Sequence, residues 1–426
     1  MKEFFNKWGR RILGGGQPDE EQSRASGSTA QPGTEKGQTT GSAKTNPGEA
    51  RRGKDPARGE ESKIEWDSRQ RRLVVETKRV LEKESISKFM FELSEGEVHV
   101  VGTDEVQQPE LTITKSVYAD SEPEAINYQK DSFVGVSADW DSLLVIGKNS
   151  LGVVSGGSGN VPTVGGSSQS APRRETQVVL KVPVAENVEG KKLESTYIIK
   201  TNSGNIRIES VTGKYTISAD AGDIVVEACN MVDSKIENKA GKTKVAAATL
   251  NVSEIKSESG DIEVIGAKLN SCSIAGKTGK IAVTGGALDL SPITNESGYI
   301  EVIGAKLNSC SIAGKTKNIA VVGTILNSCA ITNESGNIEV TDGIFIGKNT
   351  GENTVKTEAG GILVKFDRDQ GEIKVKASVG GYATEKLYFE GVENPNVYFE
   401  GVENPNGQTA SLILTTQDGE IKVISK

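Results

Sequence analysis

The chain has 426 residues, a formal net charge of −8 and one histidine, with 35% hydrophobic residues, 5% aromatics and 49 glycines. This is a turn-rich β composition with room for a large core plus tails. The acidic balance argues against nucleic acid as a partner, and no run of about 18 apolar residues offers a transmembrane helix.

Residues 1–13 open the chain. As a helix, residues 1–12 place Phe4, Phe5, Trp8 and Ile12 within an arc of about 100°. Lys7, Arg10 and Arg11 supply basic charge, and Gly14-Gly15-Gly16 stops the helix. A short basic amphipathic helix reads as an anchor to a membrane surface; a docking helix for a protein partner and an unstructured tail remain alternatives. So short a helix binds weakly alone, and stable attachment needs several copies.

Residues 14–61 are rich in Gly, Ser, Thr, Pro and Gln without apolar periodicity, the composition of a disordered linker. Within it, the basic run Arg51-Arg52-Gly53-Lys54 reads as solvated linker. Residues 62–184 are expected to form a β-rich N-terminal part that begins the solenoid and caps its first rung. Its strands include 73–75, 89–91, 98–101, 111–113 and 143–146, with a Gly/Ser-rich loop at 147–176 and a strand at 178–184.

Residues 185–426 carry a repeat. Between 250 and 340 its spacing is constant. Leu250, Leu269, Leu288, Leu307 and Leu326 recur, and Ile255, Ile274, Ile293, Ile312 and Ile331 follow five places later. A small turn holds Gly260, Gly279, Gly298 and Gly336, and an Ile-x-Val strand comes next, as in Ile262-Glu263-Val264. The expected fold class is all-β, a single-stranded parallel β-helix or β-solenoid with about 19-residue coils and a disordered N-terminal tail. Alternation along the strand turns Glu263, Glu301 and Glu339 to solvent, with Ala282 and Ala320 in the same position.

The Ile column extends back through Ile236, Ile217 and Ile198. Thr243 interrupts the core of one rung. Lys317 takes a glycine position, with Asn318 expected to carry that turn in the left-handed region. Forward, the frame shifts near 343–351. Gly371-Glu372-Ile373-Lys374-Val375 and Gly419-Glu420-Ile421-Lys422-Val423 then read as closing strands of an irregular C-terminal cap, giving about ten coils and a stack about 45–50 Å deep. Residues 259–296 and 297–334 are near-copies two rungs long, and 388–396 recurs at 398–406 as a lengthened surface loop.

From about residue 83 the order of elements resembles the bacterial "putative adhesin" β-solenoid family. The resemblance rests on Gly96-Glu97-Val98-His99-Val100-Val101-Gly102, the Val-x-x-Lys-Val-Pro run at 178–183, and the Ser-Gly-Asn-Ile and Ser-Gly-Asp-Ile turns at 203–206 and 259–262. It implies a right-handed β-helix-like fold and no catalytic residues. The N-terminal tail lies outside it.

A β-helix carbohydrate enzyme would need clustered carboxylates and aromatic sugar platforms, and Trp8, Trp66 and Trp140 all lie outside the solenoid. His99 reads as a solvent-facing strand residue, and Asp223 and Asp261 as turn chemistry. Cys272, Cys310 and Cys329 share one repeat position with Ser291 and are expected to point inward as small buried hydrophobes; Cys310 and Cys329 stack within disulfide reach. No catalytic, metal or cofactor site is expected.

The functional expectation is a non-enzymatic scaffold or interaction protein, tethered through residues 1–13 to a membrane surface or a protein partner. With no Sec signal core visible, the expected location is cytoplasmic, peripheral on the inner membrane face. The alternatives are a surface adhesin exported by another route and, less favoured, a carbohydrate-active enzyme. Open solenoid ends would allow self-association; irregular segments at both ends argue for capping.

Overall fold

In the computed structural model the described residues are 57–81, 86–130, 132–138, 142–149, 173–184, 195–346, 352–366, 373–379, 387–390, 410–418 and 420–425. All described residues belong to one compact unit, Gly53–Lys426. The expected helix at 1–13 lies outside them, as does the expected linker up to residue 56.

The repeat folds as a three-faced parallel β-solenoid. One rung illustrates the path. Ile293–Asn295 lies on face B, Ile300–Ile303 on face A and Lys306–Asn308 on face C, before Ser311–Gly314 begins the next rung on face B. Each strand pairs in parallel, in register, with its equivalent in the next rung: Ile281 with Ile300, Ile300 with Ile319, Leu288 with Leu307 and Ile293 with Ile312. The inward residues are buried columns. Leu250, Leu269, Leu288, Leu307 and Leu326 fill face C, extended by Met231 and Phe345 at its two ends. Burying each such side chain contributes about 1.5–3 kcal/mol, so stacked rungs supply the core that one rung lacks.

The turns obey two different constraints. Both corners flanking face C use left-handed backbone, as at Gly304 (φ 61°) and Ser309 (φ 51°). The glycines between faces B and A are needed for another reason. In the clear block they are not left-handed, but a Cβ on Gly298 would sit 1.8 Å from the Gly279 carbonyl oxygen of the rung below. Asn318 likewise is not left-handed. Its Oδ1 instead accepts the Asn337 backbone N–H of the next rung at 3.1 Å.

Several columns alternate with a period of two rungs. In the buried column at the end of face B, Gly276, Asn295, Gly314 and Asn333 follow one another. A Cβ on Gly276 or Gly314 would lie 3.3 or 3.1 Å from the Asn Oδ1 above it. Each asparagine reaches down to the turn below, Asn295 Nδ2 donating to the Gly279 oxygen and Asn333 Nδ2 to the Lys317 oxygen, both at 2.7 Å. On face A, Glu263, Ala282, Glu301, Ala320 and Glu339 alternate in register. At the outer edge of face B, Asp220, Lys239, Glu258, Lys277, Glu296, Lys315 and Glu334 alternate in sign, with Lys239–Asp220 at 2.7 Å and Lys277–Glu258 at 3.3 Å. Like groups about 4.8 Å apart would crowd or repel. The physical repeat is therefore a pair of rungs, which explains why the near-copies are two rungs long.

The stack begins well before residue 185. Strands β1 (Ala57–Asp67) and β2 (Arg72–Leu81) form an antiparallel hairpin, so the linker boundary at 61 falls inside a strand. β3 (Lys88–Glu95) and β4 (Glu97–Thr103) already form a solenoid rung, since they pair in parallel with β9 (Thr196–Ser203) and β10 (Ile206–Glu209). Between them the chain makes β5 (Glu110–Tyr118), helix α1 (Glu122–Lys130), β6 (Ser132–Ala138), β7 (Ser142–Asn149) and β8 (Arg174–Pro183). β7 and β8 pair on the outer side of β3 and β4. The first rung in sequence is thus second in space. The far end mirrors this: Ala410–Asp418 and Ile421–Ser425 lie between the rung at 353–366 and the outermost strands Ile373–Val379 and Leu387–Glu390. The Ile373-Lys374-Val375 motif, which resembles a face A strand, lies on face B. Both chain-terminal rungs are hydrogen-bonded on two sides.

Among the described residues face A has 16 strands, with β1, β2 and β5 antiparallel and the other thirteen parallel. That exceeds the ten coils expected and makes the parallel stack about 58 Å deep. The column read through Ile198 belongs to Ile199, which pairs with Ile217, because that coil is shorter than its neighbours by a single position. At the N-terminal end this column continues through Phe91 to Val145, and the column two residues before it is filled by stacked rings, with Phe89, Tyr197 and Tyr215 centroids 5.2 and 4.8 Å apart. A second small core of Leu73, Val75, Val117 and Ala125 packs with Trp66 and Tyr128 around α1.

Candidate functional site at the Tyr299 corner

On the outer surface of face A an open groove of about 780 Å³ runs along the stack. Its lining includes Lys280, Tyr299, Glu301, Asn318, Ala320, Asn337, Glu339, Glu420 and Lys422. The residues come from one repeat position before each face A strand and one outward position within it, so solenoid geometry sets them in two parallel rows. Ala320, between Glu301 and Glu339, leaves the floor low.

The row before the strand normally ties rungs together. Asp223 Oδ1 accepts the Lys242 backbone N–H at 2.8 Å, and Asp261 Oδ1 accepts that of Lys280 at 2.7 Å. Asn337 Oδ1 accepts the Gly361 N–H at 2.8 Å. These aspartates are the ones read as turn chemistry; each bonds instead to the backbone of the next rung, 19 residues on. Tyr299 stands in the same row, where its ring is 51% exposed and offers no acceptor close to the backbone.

The neighbouring glycine row is broken at the same place. Lys317 is the exception, and the Ile300 N–H to Asn318 oxygen bond beside it stretches to 3.3 Å. The corresponding bonds at Ile281 and Ile319 are 2.9 Å. The Lys317 ammonium reaches back to 5.7 Å from the Tyr299 ring centre, within cation–π range. Electrostatics also change here. Glu263 and Glu301 are each held by a lysine, Lys242 at 2.5 Å and Lys280 at 2.6 Å. Asn318 stands where the third such lysine would be, and the lysine paired with Glu339 among the described residues is the more distant Lys365, at 3.9 Å.

The other expected residues fall elsewhere. Phe4, Phe5, Lys7, Trp8, Arg10, Arg11 and Ile12 lie outside the described residues. His99 faces out on β4, half-buried, with Nε2 3.5 Å from the Glu209 carboxylate, a contact that becomes an ion pair only on protonation. Glu227, paired with Lys244 at 2.8 Å, is held below the usual carboxylate range by that bond. The cysteines are buried free thiols. Their thiols do more than fill space: Cys272 Sγ donates to the Leu250 and Asn270 oxygens at 3.2 and 3.3 Å, and Cys310 repeats the pattern with Leu288 and Asn308. Burial pushes the Cys229 thiol up to about 11 and that of Cys310 to about 12, which suppresses the nucleophilic thiolate.

Among the described residues no group of three or more His, Cys, Asp and Glu is placed to hold a metal ion, and no helix is long and apolar enough to cross a membrane. Sequence reasoning misses Tyr299 because it weighs only tryptophans as sugar platforms. The signal is present as the one aromatic, among the described residues, in a row that otherwise carries Asn, Asp and Lys from 205 to 337.

Residues 148–286 match the family model described as Toastrack DUF4097. The toastrack stretch runs from the end of β7 through the rungs leading to the groove, and it lies inside the region of the adhesin-family resemblance. The chain is also similar to a "putative cell adhesion protein" from Clostridium sporogenes, 12% identical over 82% of this chain and 99% of that one, with a TM-score of 0.16. A "putative adhesin" from Bacteroides fragilis is 9% identical over 82% of this chain and 97% of that one, with a TM-score of 0.20. No curated protein matches the sequence.

Proposed function

We propose that the chain is a non-enzymatic interaction protein: a β-solenoid that presents one irregular surface, the Tyr299 corner, from a tether formed by residues 1–13. The observation carrying this reading is where the repeat breaks. Inward columns persist through the stack, whereas the departures at Tyr299, Lys317 and Asn318 face solvent together. Surfaces that break local rules while the core keeps them are where binding is expected.

The tether acts through the apolar row Phe4, Phe5, Trp8 and Ile12 with Lys7, Arg10 and Arg11 toward anionic headgroups. Residues 14–56 give it reach. The location this implies is the inner membrane face. One edge favours display by separate molecules: β1, at one edge of face A, carries Glu61, Lys63, Glu65 and Asp67, and charged edges resist strand addition.

Flotation with vesicles containing anionic lipid tests the tether. The full chain is expected to float and a version lacking residues 1–13 to stay at the bottom. Equal behaviour of the two removes the membrane tether and leaves a protein partner to be sought for that segment.

A further inference from the structure

We propose that the groove at the Tyr299 corner binds an uncharged oligosaccharide, with the Tyr299 ring as stacking platform and Asn318, Asn337 and Glu339 as hydrogen-bonding partners for its hydroxyls. The inference goes beyond the tether reading and does not depend on residues 1–13.

The near-copies supply the first argument. Where residues 259–296 carry Asp261, Gly279 and Lys280, residues 297–334 carry Tyr299, Lys317 and Asn318. These positions are far apart in sequence and meet at one corner. Two of the exchanges work against the stack. Tyr299 gives up the acceptor that links rungs in this row and exposes its ring. Lys317 brings a Cβ into the glycine row, next to the stretched 3.3 Å bond. The Lys317–Tyr299 cation–π contact is the one compensation; it lies on the exposed surface and returns neither the lost rung link nor the glycine, so a binding role explains the exchanges better than stability does.

Chemistry selects the ligand class. An exposed ring flanked by two amides and a carboxylate offers a flat apolar surface beside both donors and acceptors. Sugar rings present the same combination, C–H faces edged by hydroxyls. Lys280, Lys317 and Lys422 face Glu301, Glu339 and Glu420 around the groove, three cations against three anions. Such a balance gives no field to attract a polyanion. An added peptide strand is excluded by the backbone: Ile300–Ile303, Ile319–Val322 and Ile338–Thr341 are each paired on both sides, leaving no free edge in the groove. The groove is open along the stack, so it suits an extended chain of sugars.

The test is isothermal titration of the full chain with cellohexaose, chitohexaose and laminarihexaose, and with polygalacturonate as the anionic comparison. At least one neutral hexasaccharide is expected to bind. Tyr299→Asp, which installs the residue the first copy carries at this position, should weaken it at least about tenfold. Ala320→Gln, which raises the groove floor without adding charge, should do the same and covers the case in which the first variant fails to fold. Three outcomes overturn the inference: no neutral hexasaccharide binds, binding is unchanged in folded variants, or polygalacturonate binds as tightly as the best neutral sugar. The tether reading survives any of these, since vesicle flotation reports it separately.

Discussion

Deleting one rung should destabilise the solenoid more than deleting two. Removing residues 279–297 joins Thr278 to Gly298 and keeps every Leu, Ile and Val column continuous. It also sets Glu263 under Glu301, Lys277 under Lys315 and Gly276 under Gly314. Each exposed like-charge contact at about 4.8 Å costs roughly 0.5–1 kcal/mol after screening. The Gly298 N–H, which donates to Asn295 Oδ1 at 3.1 Å in a buried setting, loses its acceptor at a cost of about 1–3 kcal/mol. The mismatches sum to about 2–5 kcal/mol. Removing residues 279–316 instead sets Glu263 under Ala320, Lys277 under Glu334 and Gly276 under Asn333, all native pairings. In urea unfolding, uniform loss of rungs reduces the free energy and the m-value together and leaves the midpoint nearly unchanged. The two-rung deletion should therefore unfold near the parent midpoint and the one-rung deletion roughly 1 M lower. If the one-rung chain has the higher midpoint, the two-rung repeat is wrong.

Other consequences rest on single residues. Val252 is β-branched, 61% exposed and left-handed at φ 50°, so Val252→Gly should raise stability by about 1–2 kcal/mol in urea melts. Thr243 is 0% exposed and its hydroxyl has no partner; Thr243→Val should stabilise by about 1 kcal/mol, where loss would point to a hydroxyl contact. The buried thiols set a pH dependence. Their folded values, about 11 for Cys229 and about 12 for Cys310, lie above the ordinary 9.0. As pH rises past about 9 the unfolded thiols ionise first, so the folded state holds more protons and stability falls toward pH 11–12. Stability at pH 10 should drop relative to pH 8, less so in a Cys229→Ala/Cys310→Ala double variant.

The core was legible because a constant spacing repeats Leu, Ile and Val in the clear, and parallel in-register stacking turns spacing directly into contact. Where a coil falls one position short the inference slipped by one, from Ile199 to Ile198. The exchange of rung order at both ends left no trace, since Ile-x-Val strands serve faces A and B alike and neighbours in space are not neighbours in sequence. The groove was half legible. Lys317 was visible as a departure, but its meaning required Tyr299, which lies one rung away in sequence and beneath it in space. The anchor residues of 1–13 rest on helical periodicity alone.

Whether the chain works as a tethered interaction protein is decided by fractionating cells that express the full chain or a version lacking residues 1–13, with protease added to intact cells. Membrane association is expected, lost on deletion and shielded from external protease. Equal distribution of the two versions would contradict the tether, and cleavage in intact cells would place the solenoid on the cell surface instead.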